Sequence, residues 1–266
     1  MRNKPLAREI GIQFVPLTQS SNVAMSTIEM QMSWSRYSRL RSISTGAVVL
    51  EVGCGQGLAT DYISSVASSF IQIDYSFLNT QIAHSENNAN VVCASADRLP
   101  IADASVDVVA ALEMFYYLSN QEGFLSECRR VLSPTGMLYL TMPNPARKGF
   151  HRSPHSTRYP TAAEIHHMMA DAGFEAKVEM AFAMSDGVGS RALRSIFALA
   201  EKLRLVPRSL KGRARLKRVI QGKTTAFPGL FELGRRFEHI GDGVATSDPS
   251  DGKQWSLIYV TARLRP

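Results

Sequence analysis

Only three cysteines occur in 266 residues, Cys54, Cys93 and Cys128. They are scattered and odd in number, so they form neither a disulfide framework nor a metal-ligand pattern, and a reducing cytoplasmic setting is expected. No run of about 18 apolar residues is present, which excludes a transmembrane helix. Arg2, Lys4 and Arg8 have no apolar segment behind them, so no secretory signal is expected either. The one His-x-x-x-His, His151 to His155, encloses Pro154, which argues against one helical face; there is no acidic cluster with metal spacing and no internal repeat, and no metal is expected. The chain also lacks Gly-x-Gly-x-x-Gly and Gly-Lys-Ser/Thr, which lowers the dinucleotide and P-loop readings.

Acidic residues are scarce in one place. From Ser190 to Lys223 eleven Lys/Arg face Glu201 alone, a net +10. The whole chain carries +7, so the remainder is −3. Basicity therefore belongs to one segment. Hydrophobic residues make up 45% and charged residues 20%, which suits one large soluble domain, or one domain with an elaboration, around a sizeable core.

The organising stretch is Val48-Val49-Leu50-Glu51-Val52-Gly53-Cys54-Gly55-Gln56-Gly57. Its first half predicts a buried parallel strand. Glycines follow at once, and Leu58 to Ser68 can carry a helix. A strand, a glycine turn and a helix N-terminus suit a nucleotide-like ligand, because glycines let the backbone approach it and free N–H groups face it. Glu51 would repel a pyrophosphate and suits a ligand carrying positive charge. The alternative is a tight strand–helix turn with no ligand.

Glu51-Val-Gly-Cys-Gly-Gln-Gly resembles the first motif of class I S-adenosylmethionine (SAM)-dependent methyltransferases, Glu/Asp-x-Gly-x-Gly-x-Gly. The next strand, Phe70 to Asp74, ends in an acid about 20 residues beyond the turn, where a carboxylate can accept from both hydroxyls of a ribose. Asp74-Tyr75-Ser76 resembles the family's Asp-x-Ser, and Tyr75 then lies against the sugar or adenine. Asn90 to Asp97 reads as a third strand and turn. Asp97-Arg98-Leu99-Pro100, with Asp103, Ser105 and Asp107, resembles the family's Leu-Pro segment. The resemblance implies that Asp97 accepts from the adenine amine, beside the backbone of Ala96 or Arg98. Val108 to Leu112 is a fourth strand with Glu113 at its carboxyl end. Ala111-Leu-Glu113-Met-Phe-Tyr116-Tyr117 resembles a run in quinone-pathway O-methyltransferases, which usually carry His where Tyr117 stands. Tyr116 and Tyr117 are substrate-binding candidates or packing residues.

Glu122 to Leu132 reads as a helix and Met137 to Met142 as a fifth strand. Phe124-x-x-Glu127-x-x-Arg130-Val131-Leu132-x-Pro134-x-Gly136 resembles a further family landmark, so the ordered likeness covers about residues 48–145. A loop from Pro143 to Pro160 leaves the ligand edge. Thr161 and Glu164 cap the next helix, Phe174 to Phe182 is a sixth strand and Trp255 to Ala262 a seventh. The resemblance implies a doubly wound, Rossmann-like α/β sheet of seven strands with the last antiparallel. Ser26 and Glu29 form a capping box ahead of a helix to Ile43, with Met30, Trp34, Tyr37 and Leu40 on one face. It packs on the sheet edge, or it covers the cofactor as family lids do, with Tyr37 near the substrate. The expected organisation is an N-terminal helical lid at 1–45, a core at 46–184 and 253–266, and a basic helical insertion at 185–252.

The cofactor implied is SAM, with S-adenosylhomocysteine as product. Glu51, Gly53, Cys54, Gly55, Gln56, Asp74, Tyr75, Ala96, Asp97, Arg98 and Glu113 are the expected cofactor residues. Methyl transfer is an in-line displacement that needs alignment above all, and a base only if the acceptor must lose a proton. His151 and His155, on the loop that leaves the ligand edge, are the base candidates. His166 and His167 lie inside a helix, where at most one can face the site. Tyr37, Tyr116, Tyr117 and Tyr159 are the expected substrate contacts. The acceptor expected is small or lipid-like, methylated at oxygen. RNA methylation and a non-catalytic SAM-binding partner are the competing functions. Residues 190–223 cap the cleft, attach to an anionic membrane surface or bind nucleic acid. Few aromatics are present there for base stacking, so nucleic acid is the least favoured partner.

Overall fold

The computed structural model describes residues 25–183, 226–237, 244–245 and 249–265. The basic segment 190–223 and the first 24 residues lie outside the described residues, and so does most of the insertion expected at 185–252.

Among the described residues eight strands form one sheet in the order β3-β2-β1-β4-β5-β8-β6-β7. They are β1 (Val48–Val52), β2 (Ser69–Asp74), β3 (Val91–Cys93), β4 (Val106–Leu112), β5 (Leu132–Pro143), β6 (Phe174–Ala183), β7 (Val244–Ala245) and β8 (Trp255–Leu264). The pairs from β3 through β5 are parallel. β8 runs antiparallel between β5 and β6. This is the expected doubly wound sheet with an antiparallel last strand, extended at one edge by the two residues of β7.

The helices are α1 (Thr27–Ile43), α2 (Thr60–Ser64), α3 (Phe77–Asn87), α4 (Gln121–Val131), α5 (Ala162–Asp171) and α6 (Leu230–Phe237). Alternation along the strands sends side chains to two cores. Leu50, Val52, Val109, Ala111, Leu138 and Leu140 pack beneath α4 and α5. Val49, Val108, Ala110, Tyr139 and Tyr259 pack beneath α1, α2 and α6. With both faces covered, the central strands need apolar residues at nearly every position. α1 thus lies across a sheet face, where Met30, Trp34, Tyr37 and Leu40 are all buried. α6, from the expected insertion, packs beside it, with Trp34 and Phe237 ring centres 6.2 Å apart.

Both anticipated capping boxes form, Ser26 with Glu29 and Thr161 with Glu164. Several boundaries differ. The helix expected from Leu58 to Ser68 is only five residues, Thr60–Ser64, because the chain keeps turning through Gly57 to Ala59. β5 begins at Leu132, and a register shift between Val106 and Val108 absorbs Ser133-Pro134-Thr135-Gly136. The third strand stops at Cys93.

Candidate active site

The carboxyl ends of β1, β2 and β4 meet at the glycine turn. Gly53, Gly55 and Gly57 have φ of +77°, +58° and +75°, a left-handed conformation that glycine adopts without a Cβ penalty. The N–H groups of Gly53 and Cys54 donate to the Ile73 carbonyl at 2.7 and 3.1 Å, which ties the turn to β2. A Cβ on Gly53 would stand 2.7 Å from Cβ of Met114, whereas one on Gly55 would meet no heavy atom within 4 Å. Gly53 is therefore required by packing, and Gly55 faces open space. Cys54 is buried, and burial pushes its thiol well above the usual range, so it stays protonated. The Gln56 carbonyl accepts from Asn87 Nδ2 at 2.8 Å, fixing the far side of the turn.

Asp74 closes the turn from below. Its Oδ2 accepts from the Gly55 N–H at 2.8 Å. Its Oδ1 accepts from the Ser76 N–H at 2.8 Å and from Asn79 Nδ2 at 3.3 Å. Burial raises its pKa against the lowering effect of these donors. Tyr75 next to it is 75% exposed. Ala96 is buried, while Asp97 and Arg98 are exposed on the loop beyond β3, where Asp97 accepts from Ser95 Oγ at 3.2 Å.

Glu51 is 1% exposed and points to the α1 side. Tyr37 Oη donates to its Oε1 at 3.2 Å and Gln72 Nε2 to its Oε2 at 2.8 Å. Thr60 Oγ1 lies 2.7 Å from Gln72 Oε1 and holds that amide in the orientation that presents its N–H₂ to Glu51. Burial pushes the Glu51 pKa up to about 7, opposed by the Gln72 and Tyr37 donors. The second acid, Glu113, ends β4 with φ of +58°, a strained value for a residue with a Cβ. It is held there by its N–H donating to the Thr141 carbonyl at 3.0 Å, and its Oε1 is 3.6 Å from the buried guanidinium of Arg36.

Tyr116 Oη reaches Glu113 Oε2 at 3.4 Å. Its ring stacks on Tyr159 at 4.5 Å and 16° and meets Tyr117 at 4.5 Å. Burial, then Glu113, raises the Tyr116 pKa well above 10, so it serves as a donor. The Ser153 N–H donates to Tyr159 Oη at 3.2 Å, and Ser153 Oγ is 3.0 Å from Tyr117 Oη. This folds the 143–160 loop onto the tyrosines. His151 and His155 are exposed on that loop, and His166 and His167 are exposed on α5.

The structure thus gathers Glu51, Gly53, Gly55, Asp74, Glu113, Tyr37, Tyr116, Tyr117 and Tyr159 at one edge. The exposed histidines, Asp97 and Arg98 lie on the loops around it. Sequence reasoning passed over Arg36 and Gln72, and placed Arg147 on the loop that borders the substrate without giving it a role. A polar residue inside the apolar run Phe70-Ile71-Gln72-Ile73 was a readable sign of a buried partner; Arg36 had none. Among the described residues no group of three or more His, Cys, Asp or Glu could hold a metal ion. A groove of about 520 Å³, lined by residues that include Arg39, Tyr139, Lys177 and Arg263, opens at the amino ends of β5 and β6. It is at the wrong end of the strands for this site.

A family profile described as a methyltransferase domain matches residues 50–140. A Mycobacterium tuberculosis protein named "Probable S-adenosylmethionine-dependent methyltransferase" is 34% identical over 170 residues, 59% of this chain and 61% of that protein. The match thus spans about 61% of the length of that relative. A ubiquinone biosynthesis O-methyltransferase of Rhizobium rhizogenes is 28% identical over 39% of this chain and 44% of its own. Among solved structures, a SAM-dependent methyltransferase from Archaeoglobus fulgidus superposes with a TM-score of 0.57 at 17% identity, covering 89% of this chain and 94% of that one. At that identity the likeness concerns the fold.

Proposed function

We propose that this chain, whose residues 50–140 form a class I SAM-dependent methyltransferase domain, transfers the methyl group of SAM to an oxygen of a small organic or lipid-like acceptor and releases S-adenosylhomocysteine. The observation that carries the reading is the space over Gly55, where an added Cβ would meet nothing, beside the carboxylates of Asp74, Glu51 and Glu113.

These residues fit the cofactor. Asp74 Oδ2 has one protein donor, which leaves lone-pair capacity for a ribose hydroxyl. Glu51 and Glu113 place negative charge where a cationic methionine end would lie, and Arg36 supplies a counter-charge for a carboxylate. When bound, SAM supplies an electrophilic methyl on a sulfonium. The chain's part is then positioning, which can lower a barrier by about 7–11 kcal/mol. Tyr37, on α1, packs behind the glycine turn against Glu51, so the lid assigned to residues 1–45 acts on the site through this contact. Tyr116, Tyr117 and Tyr159 form an aromatic wall for the acceptor. His155 or His151, on the 143–160 loop, takes the acceptor proton.

Among the described residues no helix is long and apolar enough to cross a membrane. The basic segment 190–223, outside the described residues, attaches the enzyme to an anionic lipid surface in this reading. Vesicles of anionic lipid should then retain the protein and neutral ones should not; equal recovery would remove the membrane part of the proposal. The function itself is tested by incubating the chain with methyl-labelled SAM and a lysate of the source organism. Label is expected in the organic extract. Label in RNA or protein would overturn the small-acceptor assignment.

A further inference from the structure

Among the described residues, one cation on the acceptor side, Arg147, has no matching anion within ion-pair distance. Arg147 lies on the loop that leaves the carboxyl end of β5. It is half-buried, burial lowers its pKa against the pull of Glu113 and Tyr159, and its Nε is buried without a hydrogen-bond partner. Among the described residues no carboxylate lies within 4.0 Å of its guanidinium. The nearby acid, Glu113, is already paired with Arg36.

The surroundings have a direction. Arg147 Cζ is 5.8 Å from the centre of the Phe150 ring. Phe150 meets Tyr159 edge-on at 4.8 Å, Tyr159 stacks on Tyr116 at 4.5 Å, and Tyr116 Oη reaches Glu113. An aromatic wall therefore runs from Arg147 to the edge where the glycine turn opens. Burying the Nε–H of a guanidinium without a partner costs stability. An arginine fork matches a carboxylate or phosphate with two parallel hydrogen bonds.

We propose that Arg147 binds an anionic oxygen group, carboxylate or phosphate, on the acceptor, whose apolar body lies along Phe150, Tyr159 and Tyr116. The inference rests on the methyl-transfer reading. The anionic group is separate from the oxygen that gains the methyl, so the product keeps its charge.

The test uses the full chain, methyl-labelled SAM and an organic extract of the source organism, with labelled products separated on an anion exchanger. Label should be retained on the exchanger; phosphatase treatment then releases a phosphate-bearing product and leaves a carboxylate-bearing one bound. Arg147→Met should raise KM for that acceptor at least tenfold, with kcat within about threefold and SAM affinity by calorimetry within twofold. Arg147→Lys should recover part of the loss. Label only in the unretained, neutral fraction would overturn the proposal, as would an unchanged KM in Arg147→Met. A tenfold loss of SAM affinity with KM unchanged would overturn it by placing Arg147 on the cofactor instead. No label in any fraction, with SAM still bound, would overturn the methyl-transfer reading and this inference with it.

Discussion

The hydroxyl of Tyr37 donates to Oε1 of Glu51 at 3.2 Å, joining α1 to the carboxyl end of β1 directly behind the glycine turn. The contact is buried on both sides, with Tyr37 and Glu51 each 1% exposed. Gln72 supplies the second donor to the same carboxylate at 2.8 Å. Helix packing and the electrostatics of the site therefore meet in one carboxylate.

Tyr37→Phe keeps the ring in its core position and removes only the hydroxyl. Glu51 is then left buried with a single donor, and a loss of this kind costs about 1–3 kcal/mol. Denaturant unfolding should show a lower midpoint with an unchanged slope. SAM affinity should fall too, because the carboxylate loses a donor that favours its ionised form. An unaltered midpoint would mean that the hydrogen bond contributes nothing to the fold.

Glu51 gives the protein a pH dependence of definite sign. Folded, it holds its proton up to about 7, against an ordinary value of 4.5. Between these values the folded chain binds more protons than the unfolded one. This group's contribution to stability is therefore greatest below 4.5, falls as pH rises through the window and is flat above about 7. Its size is on the order of 3 kcal/mol. Glu51→Gln should remove that decline, so the difference between wild type and variant should change between pH 5 and pH 8. A cationic ligand favours the ionised form, so SAM affinity should rise by about tenfold from pH 6 to pH 8 in wild type and stay level in the variant. Calorimetry in buffers of different ionisation enthalpy would show proton release only in wild type.

The parts legible in the sequence were those with a local physical cause. β1 is an apolar run bounded by glycines, and α1 and α5 announce themselves by Ser26/Glu29 and Thr161/Glu164. α3 was passed over because its pattern is inverted: Phe77 and Leu78 are 65% and 39% exposed, while Asn79 and Thr80 are buried. A stripe of apolar residues therefore could not reveal it. Ser133-Pro134-Thr135-Gly136 reads as a turn, and only pairing with β4 shows that β5 absorbs it as an irregularity. In the site, the glycines and Asp74 stood at readable spacings. The Arg36–Glu113 pair joins residues 77 positions apart, and Gln72 meets Glu51 only because β1 and β2 are adjacent and in register. Such partners are products of topology, and local spacing does not encode them.

Asp74→Ala should weaken SAM binding at least tenfold. The carboxylate anchors the Gly55 N–H at 2.8 Å as well as offering an acceptor to the ribose, so both the turn and the ligand contact are lost. Asp74→Asn separates the two effects. Its amide oxygen can still accept from Gly55 or Ser76, so its unfolding midpoint should stay nearer to wild type while SAM affinity still drops. Calorimetry showing unchanged affinity in Asp74→Ala would remove this residue from the cofactor site.

Arg36 and Glu113 form an ion pair whose side chains are 8% and 15% exposed, whereas Arg235 and Glu232 are 76% and 59% exposed. Breaking the first by Arg36→Met should cost about 3–5 kcal/mol, since Glu113 would keep its charge in a largely buried position. Arg235→Met should cost no more than about 0.5 kcal/mol. Comparable losses in chemical denaturation would contradict the burial of the Arg36 pair.

Two glycines of the turn should fail in different ways when changed to alanine. Both have positive φ, so each substitution carries a backbone cost of about 1–2 kcal/mol. At Gly53 the new Cβ would also stand 2.7 Å from Cβ of Met114, a contact between two atoms fixed by their backbones, so β1 and the segment after β4 must move apart. Gly53→Ala should therefore lower the unfolding midpoint markedly, and SAM binding with it. At Gly55 the new Cβ meets no protein atom within 4 Å, so the fold should lose only the backbone term. The added methyl instead occupies space over the turn that the bound cofactor needs. Gly55→Ala should melt close to wild type yet lose at least tenfold in SAM affinity. Full affinity in Gly55→Ala would show that the open space above this turn is not where the cofactor lies, since no other consequence of that methyl could be hidden by the protein around it.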